Sequence, residues 1–117
     1  MSYISRVGNL ASTPVLREGD KGFYCYARVI VSDRLRADDG SYGDGPSVGY
    51  DVQVSGDLAR QLVATAEESG NVRIHFEGQY RVTEYAPEGG PVRLQHEVKA
   101  TEVSISLRNQ HVVVVPK

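Results

Sequence analysis

Five stretches in which apolar residues recur at every second position, one in which the period changes to 3.6, and turn-forming residues between them predict an all-β domain. The expected architecture is five strands closed into a small barrel, with one short helix between strands 3 and 4. At 117 residues and 12.8 kDa the chain has room for one hydrophobic core. Its 40% hydrophobic and 24% charged residues exclude a disordered chain.

Taken in order, YISRVGNLASTPVLR (3–17) predicts a broken first strand, bent at Gly8, with Pro14 disfavouring a central ladder position. After a turn through Gly19-Asp20, Phe23, Cys25, Ala27, Val29 and Val31 share one face of a second strand. Tyr24, Tyr26, Arg28 and Ile30 share the other. ADDGSYGDGPS (37–47) carries Asp-Gly pairs and a proline, and reads as a long mobile loop. VGYDVQVS then groups Val48, Tyr50, Val52 and Val54 on a third strand, antiparallel to the second. At Asp57 the period becomes helical: Leu58, Leu62 and Ala66 form a stripe beside Ala59 and Val63, with Asp57 as N-cap and Gly70 as stop. NVRIHFEGQY alternates again, with Val72, Ile74 and Phe76 inward. The return arm changes phase between Val98/Ala100 and Val103/Ile105/Leu107, which a bulge near Thr101-Glu102 would reconcile. Five strands and one helix in this order are the plan of the oligonucleotide/oligosaccharide-binding (OB) fold.

Formal net charge is -2, without the positive field usual for binding phosphates. The distribution is uneven: bases predominate over residues 1–36, whereas residues 37–57 hold five aspartates and neither lysine nor arginine. His75, His96 and His111 lack metal-ligand spacing, and no nucleophile sits in a catalytic frame, so no enzyme, metal or other cofactor is expected. Cys25, the only cysteine, is expected as a buried thiol. No apolar run approaches a bilayer span and no secretory signal opens the chain, so the expected location is the cytoplasm, with no membrane partner.

The chain instead offers surface for contact. Tyr24, Tyr26, Tyr50, Tyr80 and Tyr85 can stack bases, and Arg28, Arg34, Arg36, Arg73, Arg81 and Arg93 can meet phosphates, a mode indifferent to base order. The four consecutive valines near the C-terminus would be a sticky edge if left free. Residues 109–117 are therefore expected to pair with the body of the domain or with a second subunit.

VGNLASTPVLR (7–17), YDVQVSGDLARQL (50–62) and EGQYRVTEY (77–85) resemble, in order, segments of the bacterial single-stranded DNA-binding protein family. The resemblance implies that residues 1–108 are an OB-fold single-stranded DNA-binding domain. It further implies assembly into homodimers or homotetramers, and non-catalytic protection of single strands in replication, recombination and repair, with no small-molecule substrate. By the same resemblance Tyr85 falls at a base-stacking aromatic, with Arg81 beside it, and Leu35 falls near a stacking tryptophan. The chain departs from the family's pattern at two platforms, carrying Gly49 and Ser55 where stacking aromatics are expected. It ends in VVVVPK, without the family's Gly/Pro-rich linker and acidic tip, so tail-mediated recruitment of repair proteins is not expected. The alternative is an oligomeric OB-fold protein-interaction or primosome accessory module with weak or no DNA binding.

Overall fold

The computed structural model describes residues 2–116, apart from the side chains of Arg34, Leu35 and Asp44. The elements are β1 (Ser2–Leu10), β2 (Arg17–Gly19), β3 (Gly22–Arg36), β4 (Tyr42–Ser55), α1 (Asp57–Ser69), β5 (Arg73–Tyr85) and β6 (Arg93–Ile105). The strands form one sheet in the order β1-β5-β6-β4-β3-β2, and β1 also meets β3 through Asn9↔Ile30 and Leu10↔Val29. This corrects the expected five-stranded barrel. The architecture is a six-stranded sheet, and the helix lies between the fourth and fifth strands instead of the third and fourth.

The miscount lies in the first segment. Expected as one broken strand, it divides into β1 and β2, and Pro14, buried in the connection, has no N–H to give a ladder. β2 has no apolar alternation of its own. It exists because Arg17 and Glu18 pair with Tyr24 and Phe23 across a turn at Asp20 and Lys21.

The expected long loop at 37–47 is also corrected. β3 runs on to Arg36 and β4 begins at Tyr42, which leaves residues 37–41 as the connection. The Ala37 N–H donates to the Ser41 carbonyl at 2.8 Å, and Asp39 Oδ1 accepts from the Ser41 N–H and hydroxyl at 2.9 and 2.6 Å. Those bonds hold the Asp39 carboxyl below the usual carboxylate range. The ladder slips between Ser32 and Arg34, opposite Gly45 and Pro46, where the proline has no N–H to contribute. Beyond the slip, β3 and β4 continue as a hairpin arm.

The alternation places the core as expected. Cys25, Ala27, Val29 and Val31 of β3 are buried with Val52 and Val54 of β4, Ile74 and Phe76 of β5, and Val98 and Val103 of β6. α1 closes this core with Ala59, Leu62, Val63 and Ala66. The helix is capped by Gly56 at φ 71°, which corrects the expectation for Asp57; Asp57 instead lies in the first turn, where a carboxylate favours the helix dipole. Gly70, at φ 83°, stops the helix, its N–H reaching the Ala66 carbonyl at 2.8 Å.

The phase change in β6 is a bulge. Glu77 pairs with Glu102 but Gly78 pairs with Ala100, leaving Thr101 as the extra residue. A Cβ on Gly78 would stand 2.8 Å from the Ala100 Cα, so the bulge requires a residue without a side chain opposite it. The β3–β4 and β5–β6 hairpins are joined by a parallel run, Tyr50–Gln53 against His96–Lys99.

Residues 106–116 join no strand. Gln110 anchors their start: its Nε2 donates to the Arg73 carbonyl at 2.8 Å and to the Ser106 carbonyl, and its Oε1 accepts from the Arg73 N–H at 3.1 Å. Val113, Val114 and Val115 remain exposed. The segment runs beside α1, where Gln110 to Pro116 share a cleft with Gln61, Thr65 and Glu68.

Candidate nucleic-acid interface

Because side chains alternate along a strand, the residues between the core positions of β3, β4, β5 and β6 all reach the opposite face of the sheet. Over the parallel seam they line a groove of roughly 550 Å³: Tyr26 from β3, Asp51 and Gln53 from β4, Gln79 and Arg81 from β5, and Glu97 and Lys99 from β6, with Val98. The lining mixes apolar with polar surface and carries charges of both signs.

Tyr26 is 56% exposed, and its ring is met edge-on by Tyr24 at 5.9 Å and 81°. Tyr24 is itself half-buried, its ring close against Gly19 of β2. This pair gives the surface a fixed aromatic step. Arg28, two residues beyond Tyr26 on the same face, donates from Nη1 to Asp51 Oδ1 at 3.1 Å. Arg81 donates from Nε and Nη2 to Glu97 Oε2, both at 2.8 Å, and the Thr83 hydroxyl donates to Glu97 Oε1 at 3.1 Å. The Arg81 guanidinium, ahead of the other influences, holds the Glu97 carboxyl below its usual range. Two of the expected phosphate contacts are therefore paired with carboxylates in the isolated chain.

Tyr85 lies on the face of β5 that carries Gln79 and Arg81; it is exposed, and its cross-strand partner is the exposed Arg93. Both stand near the tip of the β5–β6 arm, beyond the groove. Arg36 is exposed at the end of β3, in register with Tyr42. The side chain of Arg34 lies outside the described residues. Arg73 is eight residues before Arg81, about 26 Å along an extended strand. It belongs to the end of the sheet anchored by Gln110, away from the groove.

Tyr50 is not at the surface. It is 6% exposed, with ring centroids 5.5 Å from Phe76, 5.9 Å from Tyr80 and 5.6 Å from His96. The alternation that grouped it with Val52 and Val54 decides its place, and it leaves no ring face open for a base. Behind it the Tyr80 hydroxyl and His96 Nδ1 are 2.6 Å apart, and desolvation raises the pKa of that hydroxyl.

Gln53, Gln79 and Lys99 belong to the groove although no sequence argument selected them. Lys99 is in register with Gln53 on one side and Gln79 on the other. The signal was available in the period of two, which places Gln53 beside Asp51 and Lys99 beside Glu97 on their strands. What was missing was the parallel pairing of β4 with β6. Among the described residues no group of His, Cys, Asp or Glu could hold a metal ion, and no helix is long and apolar enough to cross a membrane.

The fold is of the OB type, in the form found in single-stranded DNA-binding proteins. The chain is similar to a small single-stranded DNA-binding protein from Streptomyces coelicolor, with a TM-score of 0.78 and 24% identity over 93% of this chain and 97% of that one. It is also similar to the second single-stranded DNA-binding protein of Mycobacterium smegmatis, with a TM-score of 0.72 and 23% identity over 98% of each chain. A Plasmodium falciparum protein solved in complex with single-stranded DNA matches at a TM-score of 0.61 and 10% identity, over 91% of this chain and 95% of that one. No family model and no curated protein matches the sequence.

Proposed function

We infer that this chain binds single-stranded DNA, without catalysis and largely without regard to base order, and so protects strands exposed in replication, recombination and repair. The observation that carries the reading is the groove over the parallel seam. It sets an exposed tyrosine, amide groups and basic side chains on one face of a fold shared with proteins described as single-stranded DNA-binding. Stacking contributes about 1–3 kcal/mol per base, so Tyr26 in the groove and Tyr85 on the arm outweigh a weakly unfavourable net field. The chain acts as a homo-oligomer in the cytoplasm. Support for self-association comes from β1, whose residues 2–8 pair with β5 on one edge only, and from the exposed valines 113–115.

A protein-interaction or primosome accessory role is the second reading. The observation favouring it is that Arg28 and Arg81 already have carboxylate partners, so a phosphate has to displace Asp51 or Glu97 to reach them. Anisotropy titration of labelled oligo-dT at low and high salt, alongside a mass measurement of the free protein, separates the two. Salt-dependent binding is the expected result; a stable oligomer that leaves oligo-dT free would establish the second reading.

A further inference from the structure

Gly49 on β4 lies diagonally across from Arg28 on β3, in the register Ile30↔Gly49 and Arg28↔Asp51. A Cβ at position 49 would stand 2.5 Å from the Arg28 Cζ and 2.8 Å from its Nε, with Nη2 also in contact. Three guanidinium atoms at nearly equal distances put that position over the face of the plane. A Cβ lying in the plane and approaching from its edge would be clearly farther from Cζ than from the two nitrogens. Arg28 is thus laid flat across the strand, in the space that the missing side chain leaves open.

Asp51 Oδ1 holds one edge of the plane at 3.1 Å, and the side chain is 49% exposed. One face is covered by the Gly49 backbone and the other is open. Tyr26 precedes it on the same face of β3, the two Cα atoms about 6.6 Å apart at strand spacing, and its ring is also open and braced edge-on by Tyr24. Two braced, flat, half-exposed groups stand in a row.

We propose that Arg28 is a stacking platform: the open face of its guanidinium receives a nucleobase next to the one held on Tyr26. A planar, weakly hydrated guanidinium stacks on π-systems, whereas a lysine ammonium does not. Its salt bridge does not oppose this role, because Asp51 meets the edge of the plane and leaves the face free. The inference rests on the single-strand reading and assigns a residue and a contact within it.

Titration of oligo-dT, and of a fully abasic strand of equal length, against wild type, R28K and G49A tests it. R28K keeps the charge and removes the plane; G49A keeps the arginine and puts a Cβ in its seat. Both should weaken oligo-dT binding about tenfold with the salt slope and thermal midpoint unchanged, and all three proteins should bind the abasic strand alike. R28K binding oligo-dT as wild type does would overturn the stacking role and leave the single-strand reading intact. So would a loss of equal size on the abasic strand, which would make Arg28 a phosphate contact. A wild type that binds neither strand would overturn the single-strand reading, and the stacking role with it.

Discussion

Glu97 takes two bonds from Arg81 and one from Thr83, so an arginine of the groove that is 67% exposed is neutralised before any ligand arrives. Glu97→Gln should weaken that hold and release the guanidinium toward phosphate. Oligo-dT should then bind more tightly, and the slope of log affinity against log salt should steepen by about 0.7, one contact's worth on a single strand. The same carboxyl sets a pH dependence. Its folded pKa lies below the unfolded value, so its stabilising contribution is complete above the ordinary carboxylate range and fades as pH falls through the folded value. Thermal midpoints of wild type and E97Q should differ slightly at pH 7 and converge in acid, with a small gap because water screens both partners. Cys25 runs the opposite way. Burial pushes its thiol up to about 11, so the native protein should resist alkylation at pH 8 and become labelled only as it unfolds. Tyr50→Ala should cost about 3–5 kcal/mol in urea unfolding, as expected for an aromatic lost from a core.

Among the elements, β6 is where sequence and structure agree in most detail. The apolar positions step out of phase between Val98 and Val103, and Thr101 is the extra residue that this step requires. Deleting Thr101 should remove only the unpaired residue: Glu102 would follow Ala100 in the ladder, and Val103 and Ile105 would keep both their partners and their inward phase. The bend that the bulge gives β6 would be lost, so a lowered thermal midpoint with cooperative unfolding retained is the expected readout. Gly78→Ala should destabilise by about 1–3 kcal/mol, since its Cβ meets backbone that cannot swing aside. The helix and its stop at Gly70 were equally legible, because a change of period is a property of neighbouring residues. β2 was not, since three residues without an apolar pattern become a strand only when β3 lies beside them. The acidic connection misled for a related reason. Asp-Gly pairs signal turns locally, whereas Tyr42 to Gly45 are drawn into a strand largely by the partner ladder from Ser32 to Arg36. The groove suffered most, because its members come from four strands and the parallel seam that unites them leaves no trace in any one of them.

For the molecule as a whole, the Cα radius of gyration is 15.8 Å, above the roughly 13 Å of a compact domain of this length. The principal extents of 49 × 42 × 26 Å make the molecule broad and shallow. Truncation after His111 keeps Gln110 and its bonds to Arg73 and removes the exposed valines. The shortened chain should keep its thermal midpoint and, if the valines hold subunits together, show a lower mass by sedimentation equilibrium.

The parallel seam has one more consequence, for the order in which the protein assembles. Each hairpin closes over a short span of chain, whereas Tyr50–Gln53 must find His96–Lys99 across more than forty intervening residues, so the slower loop closure belongs to the seam. The groove straddles that junction and has no floor until the hairpins meet. An occupant can therefore act only on the finished protein: it should slow unfolding in proportion to its affinity while leaving the refolding rate untouched. Stopped-flow measurements with and without oligo-dT would read both limbs.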